Sequence, residues 1–152
     1  MLNVRRCLAA LAVVFAACAS SSSGISVSVT ELRGRGQRPP TVGEHFYRIR
    51  VTNHSTEPIA VESINIQPAG MTELDVEDAS QSFDETIGAD ESRTFDMTMD
   101  VLSSRAIEHA TLYTPSFNSS IDSLRVMIVG RNEKGRFTDS GDYPIGYEPV
   151  ER

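Results

Sequence analysis

The chain has 152 residues, 39% hydrophobic, 23% charged and 7% aromatic, with no Trp. Fourteen basic against 21 acidic residues give a net charge of −7, which argues against a general nucleic-acid binder and against a protein held on anionic lipid by charge. The length suits one domain, the apolar content excludes wholesale disorder, and the lack of internal repeats excludes a solenoid.

The first residues read as an address. Arg5 and Arg6 form a basic n-region, Cys7–Ala17 is an uncharged apolar run of eleven residues, and small residues follow. As helix, that run reaches only about 16 Å at ~1.5 Å per residue, too short for a hydrocarbon core of ~30 Å, so it is a secretory signal rather than a span. Phe15-Ala16-Ala17-Cys18 resembles the lipobox of bacterial lipoproteins, in which small residues precede the Cys that becomes the acylated N-terminus; Phe15 stands where that family usually has Leu or another aliphatic residue. The resemblance implies a signal peptide over residues 1–17, lipidation at Cys18 and a membrane anchor. Ala19 after the Cys, rather than Asp, is similar to lipoproteins sent to the outer membrane, facing the periplasm. Ala17-Cys18-Ala19 also satisfies the rule for the ordinary signal peptidase, so a secreted soluble domain cleaved after Ala19 is an alternative. Cysteine usage favours acylation. Cys7 and Cys18 are the only two, so cleavage at Cys18 leaves one thiol and no intramolecular disulfide. A free thiol is a liability in an oxidising compartment, and acylation removes it. Residues 18–24, the Cys followed by Ala19-Ser20-Ser21-Ser22-Ser23-Gly24, then form a flexible tether with a reach of roughly 13 Å.

From residue 25 the dominant period is two. Ile25, Val27 and Val29 alternate with Ser26, Ser28 and Thr30, and His45–Asn53 repeats the pattern with Tyr47, Ile49 and Val51 inward. Asn53–Pro58 is dense in turn formers. Ile59–Gln67 is the next strand, and a change of apolar phase between Val61 and Ile64 predicts a bulge near Glu62-Ser63. Weaker strands are expected at Met71–Val76 and Phe83–Ile87. Arg93–Val101 is the cleanest, with Phe95, Met97, Met99 and Val101 on one face. A short helix is expected within Ser103–Leu112. Ser123–Arg131 is a strand that Asn132-Glu133-Lys134-Gly135 turns into a short partner, Arg136–Thr138. Residues 140–152, with Pro144 and Pro149, read as a C-terminal tail.

Short strands, regular turns and no long helix predict an all-β domain over residues 25–139: a single antiparallel β-sandwich of about seven strands. The stretch from Phe46 to Ile59, with its aromatic-aliphatic strand ending in Asn53, polar turn and second aliphatic strand, resembles bacterial Ig-like export domains. Gly88-Ala89-Asp90-Glu91-Ser92 before the Phe95 strand is similar to their later turn. The resemblance implies an Ig-like sandwich, without the Cys…Trp…Cys core of antibody domains.

Catalytic signatures are missing: no G-x-S-x-G, H-E-x-x-H, P-loop or G-x-G-x-x-G occurs, and His45, His54 and His109 are isolated along the chain, so an enzyme is not expected. Met97-Thr98-Met99 offers two thioethers on one strand face, and soft sulfur suits Cu(I). Exported copper chaperones are similar in size, but they pair His with Met, whereas Asp96 and Asp100 flank this pair. The expectation is therefore that Met97 and Met99 are core residues, with no metal or other cofactor; periplasmic copper handling is the alternative. Eight acidic residues within residues 71–92, with no Lys or Arg, lack Ca²⁺-loop spacing and read as a solvated acidic stretch. Arg33, Arg35 and Arg38, spaced by Gly34 and Gly36, read as a solvated cationic linker, with an envelope phosphate or carboxylate as the functional alternative. Asn53-His54-Ser55 and Asn118-Ser119-Ser120 match the glycosylation sequon by chance. Ser123–Arg131 alone has apolar residues on both faces: Leu124, Val126 and Ile128 one way, Met127 and Val129 the other. That second set is expected to be covered either by the C-terminal tail, with Tyr143, Pro144, Ile145 and Tyr147, or by a partner. Together these features predict a lipid-anchored outer-membrane protein that binds or supports envelope protein or polymer, and no nucleic acid.

Overall fold

A computed structural model describes residues 24–34, 43–70, 74–104 and 121–150. Cys18, Arg35, Arg38, His109 and most of the expected Ser103–Leu112 helix lie outside the described residues. The described chain is all-β: β1 (Ile25–Gly34), β2 (Gly43–Asn53), β3 (Ile59–Pro68), β4 (Leu74–Val76), β5 (Ala79–Ile87), β6 (Ser92–Ser104), β7 (Ser123–Asn132) and β8 (Gly135–Val150). They form one mixed sheet in the order β4-β6-β2-β1-β8-β7-β3-β5. The sheet curls until β5, at one edge, packs on β6; the Phe83 and Phe95 rings meet edge-to-face there, 4.8 Å between centroids and 67° apart. The result is nearly a closed barrel.

Period-two patterning explains the core. Ile25 and Val29 of β1, Tyr47, Ile49 and Val51 of β2, Phe95, Met97, Met99 and Val101 of β6, and Leu124, Val126 and Ile128 of β7 all point inward and are buried. The bulge lies where the apolar phase changes: β3 slips register between Val61 and Ser63 against both β5 and β7. The β7–β8 hairpin closes through the Asn132↔Gly135 pair, with Glu133 and Lys134 as its turn.

Eight strands among the described residues accord with the expected about seven, and Ser103 and Ser104 end β6. Two expectations are corrected. Pairing is not wholly antiparallel: β1 runs parallel to β8, Val29 facing Ile145 and Gly34 facing Val150. Residues 140–150 are not a tail but the greater part of a 16-residue strand. β8 pairs with β7 as far as Ser123↔Pro144 and with β1 from Ile145 onward. Pro144 has no N–H to offer, and the handover falls beside it, where the Ile145 N–H turns to the Asp122 carbonyl at 3.0 Å.

At the opposite end, Asn53 is fully buried and joins two turns. Its Nδ2 donates to the carbonyls of Glu57, Ile87 and Gly88 at 2.8, 3.2 and 3.1 Å, and its Oδ1 accepts from Ser55 N and Oγ at 3.0 and 2.6 Å. In β7, Gly130 lets the β3 backbone approach. A Cβ there would stand 2.5 Å from the Ala60 carbonyl oxygen and 2.7 Å from Phe137 Cζ. Because the oxygen belongs to backbone already held in the β3 ladder, Gly130→Ala should cost about 2 kcal/mol. Urea denaturation measures it; an unchanged midpoint would mean that β3 shifts freely.

Candidate functional site

The inward alternation of β1 does not stop at Val29. It continues to Glu31 and Arg33, carrying charge into the interior near the Gly34 end of the strand. Glu31 is only 4% exposed. Its Oε2 accepts from Arg33 Nε at 2.9 Å and Nη2 at 2.6 Å, and its Oε1 lies 2.8 Å from His45 Nδ1 of β2. Arg33 in turn lays its guanidinium over the Tyr147 ring of β8, 3.8 Å from the centroid. The His45 and Tyr47 rings are nearly parallel, 6.5 Å apart. Three neighbouring strands therefore meet in one polar cluster. Among the described residues every buried side-chain nitrogen and oxygen has a hydrogen-bond partner.

The electrostatics follow from this geometry. Burial by itself raises the Glu31 pKa, but the bonds from His45 and Arg33 and their charges outweigh it and hold the carboxyl below its ordinary value. Burial, reinforced by the Glu31 charge, pushes the Tyr47 phenol far above its usual range. With Glu31 ionised, its bond to His45 is made by Nδ1–H, which fixes the imidazole tautomer and orientation. Chemically, the cluster is a neutralised carboxylate–guanidinium pair with an oriented imidazole beside it.

The sequence reading missed Glu31 and Tyr147, although the phase of Ile25, Val27 and Val29 marks Glu31 as core-facing. Arg33 is placed in this cluster rather than in a solvated linker. The other candidates are scattered. Met97 and Met99 are 3% and 1% exposed, packed in the core as expected; in register, Met97 faces Tyr47 and Met99 faces His45. His54 lies elsewhere, its Nε2 2.7 Å from Ser26 Oγ at the surface. Met127 is 38% exposed and Val129 half-buried on the outer face of β7, flanked in register by Asn65 and Ser140, and by Ser63 and Thr138. The tail does not cover them, because Tyr143 and Ile145 continue the same sheet beside β7 and β1 and turn toward the core. Among the described residues no group of three or more His, Cys, Asp or Glu could hold a metal ion, and no helix is long and apolar enough to cross a membrane.

No family model and no curated protein matches the sequence. Among solved structures, similarity extends to an X-ray structure of a structural-genomics target, at TM-score 0.45 and 13% identity, covering 84% of this chain and 89% of that one. A protein described as ApaA from Bordetella pertussis gives TM-score 0.44 and 14% identity, covering 83% and 95%. A FixG-related protein from Vibrio parahaemolyticus gives TM-score 0.34 and 12% identity, covering 80% and 96%. At these levels the likeness assigns no function.

The sign of the pH effect follows from Glu31. Its lowered pKa contributes stability that is present above the unfolded value near 4.5 and is lost as pH falls through the folded value. Glu31→Gln should therefore cost about 2 kcal/mol at pH 7, and the gap to the parent protein should narrow on acidification below pH 4.5. Urea denaturation at pH 7 and pH 3 checks this; a gap of constant size would locate the effect in packing rather than charge.

Proposed function

We propose that this protein is a lipid-anchored envelope protein, acylated at Cys18 and facing the periplasm from the outer membrane, and that its rolled sheet is an Ig-like β-sandwich used for binding or structural support rather than catalysis. The Ig-like reading is supported by the change of partner along β8, which leaves β4-β6-β2-β1 and β7-β3-β5 as two groups of strands sharing one long strand.

The observation that supports the binding reading is the position of Gly24, just before β1. Gly24 accepts a hydrogen bond on its carbonyl from His54 N at 2.8 Å, so the chain enters the fold at the Asn53 end. β1 then runs ten residues, about 33 Å at ~3.3 Å per residue, away from that entry. An anchor at Cys18 would hold the Asn53 end toward the membrane and present the Glu31–His45 end to the periplasm. Cys18→Ser should abolish incorporation of labelled palmitate and leave the protein unprocessed or soluble. Normal processing and membrane retention in that variant would overturn the anchor, and a parent protein that is soluble and unlabelled would favour the secreted alternative.

Copper handling is a second reading, favoured by one observation: the register sets His45 directly opposite Met99. Because Met99 is enclosed in the core, ligation there would require β2 and β6 to part. Competition titration with Cu(I) decides it. Micromolar affinity lost in Met99→Leu, a volume-conserving change costing less than ~1.5 kcal/mol, would support copper; no binding removes it.

A further inference from the structure

The outer face of β1, β2 and β6 near the Gly34 end combines exposed apolar groups with uncompensated negative charge. Phe46 is 48% exposed and Leu102 is 55% exposed, and Leu32 faces Phe46 across the β1–β2 ladder. Beside them Glu44 stands directly opposite Asp100 in register, both exposed. Like charges in opposed cross-strand positions are destabilising. Glu77, also exposed, donates its backbone N–H to the Asp100 carbonyl at 3.1 Å, bringing a third acidic residue alongside. Among the described residues neither Glu44 nor Asp100 has an ion-pair partner. Arg48, next along β2 on this face, is already committed to Asp96 at 3.1 Å and Glu148 at 3.7 Å. The outer face of β7 and β8 is a contrast. Around Met127 and Val129, Arg125 pairs with Asp142 at 2.7 Å, and Glu62 takes both Arg131 and Arg136 at 3.2 Å.

We propose that the Phe46 face docks a protein segment that presents an arginine or lysine between apolar side chains, the cation bridging Glu44 and Asp100 while the apolar groups on either side cover Phe46 and Leu102. This rests on the binding reading above and names the partner's chemistry. The other occupants fit less well. An anionic lipid or polymer is repelled by the carboxylates, and a bare divalent cation leaves Phe46 and Leu102 in water. A second copy joined through the same face brings like charges together, since a two-fold contact is self-complementary.

The test is fluorescence anisotropy of a labelled, end-capped hexapeptide of alternating Arg and Leu, titrated with the full chain in non-ionic detergent. We expect saturable binding that weakens with added salt and is absent for the matching Glu–Leu peptide. Affinity should fall at least about tenfold in Glu44→Gln/Asp100→Asn and in Phe46→Ser. It should be unchanged in Asp84→Asn/Glu85→Gln, which removes the same charge from exposed positions of β5. All these side chains lie at the surface, and circular dichroism confirms that each variant is folded. No saturable binding, or equal loss from the two charge-neutralised variants, overturns the proposal. So does self-association of the parent chain that Phe46→Ser abolishes, or Ca²⁺ alone competing at Glu44 and Asp100. None of these outcomes bears on palmitate labelling at Cys18, so the docking face and the anchor fail separately.

Discussion

β8 must serve two neighbours in succession, and the closure of the fold depends on how it does so. Its first half is the return arm of a hairpin with β7, and its second half lies parallel to β1. An antiparallel ladder cannot become a parallel one with a different strand unless the chain crosses from one to the other. The crossing falls beside Pro144, which has no donor to lose, and Ile145 is anchored at once by the Asp122 carbonyl and by burial in the core. Without that crossing, β1-β2-β6 and β3-β5-β7 would have no ladder between them. With it, Val29, Ile145, Leu124 and Val126 belong to one continuous apolar interior. Parallel pairing needs a long connection, and here the whole domain is that connection: β1 and β8 are the first and last described strands.

A rolled sheet still has two ends, and each is closed by a buried polar residue of different chemistry. At one end the neutral amide of Asn53 collects carbonyls from two turns and returns its own oxygen to Ser55. An amide suits that place because the surrounding backbone offers both acceptors and a donor, and no charge has to be desolvated. At the far end, Glu31 is a buried charge tolerated only because Arg33 and His45 answer it. The Glu31 carboxylate can therefore gain a proton, whereas the Asn53 amide cannot. Removing one member of the charged cluster strands its partners, whereas the Asn53 network fails through unmade hydrogen bonds alone.

Much of this architecture is legible as alternation. β2 and β6 follow from their inward Tyr47, Ile49 and Val51 and Phe95, Met97, Met99 and Val101, and the β3 bulge follows from the phase change between Val61 and Ile64. What the alternation hides is where strands end. Reading β1 as far as Thr30 stops one residue short of Glu31, because a charged residue looks like the start of a loop until a partner is known. That partner, His45, is 14 positions away, and no local spacing joins the two. β8 is obscured by Pro144 and Pro149, which read as breakers when considered singly; the first is harmless because the partner changes there. Ser80, Gln81 and Ser82 of β5 are exposed polar residues of an edge strand, so they carry no apolar signal for the period to register.

The edges also bear on how this domain could recognise anything. An open strand edge invites another strand to add to it, and proteins blunt such edges with bulges and charge. β5 has both. Between the Val61↔Glu85 and Ser63↔Ser82 pairs it has two residues where β3 has one, and Asp84 and Glu85 are exposed at that irregularity. Among the described residues the opposite edge is formed by β4, three residues long, which pairs with only the last few residues of β6; there the outward side chains include Asp96 and Asp100. Both edges thus resist extension by a further strand, and side chains on a sheet face remain as the means of specific contact. The two candidate faces differ in how far their charge is already spent. On the β7–β8 face acids and bases are matched within the sheet, so a partner would have to break existing pairs. On the Phe46 face Arg48 is already committed and Arg50 lies six residues along β2 from Glu44, so among the described residues no cation pairs with Glu44 or Asp100. A partner docked at the Gly34 end of the Phe46 face would meet carboxylates that no existing pair has to give up, so binding there would disturb the sheet least.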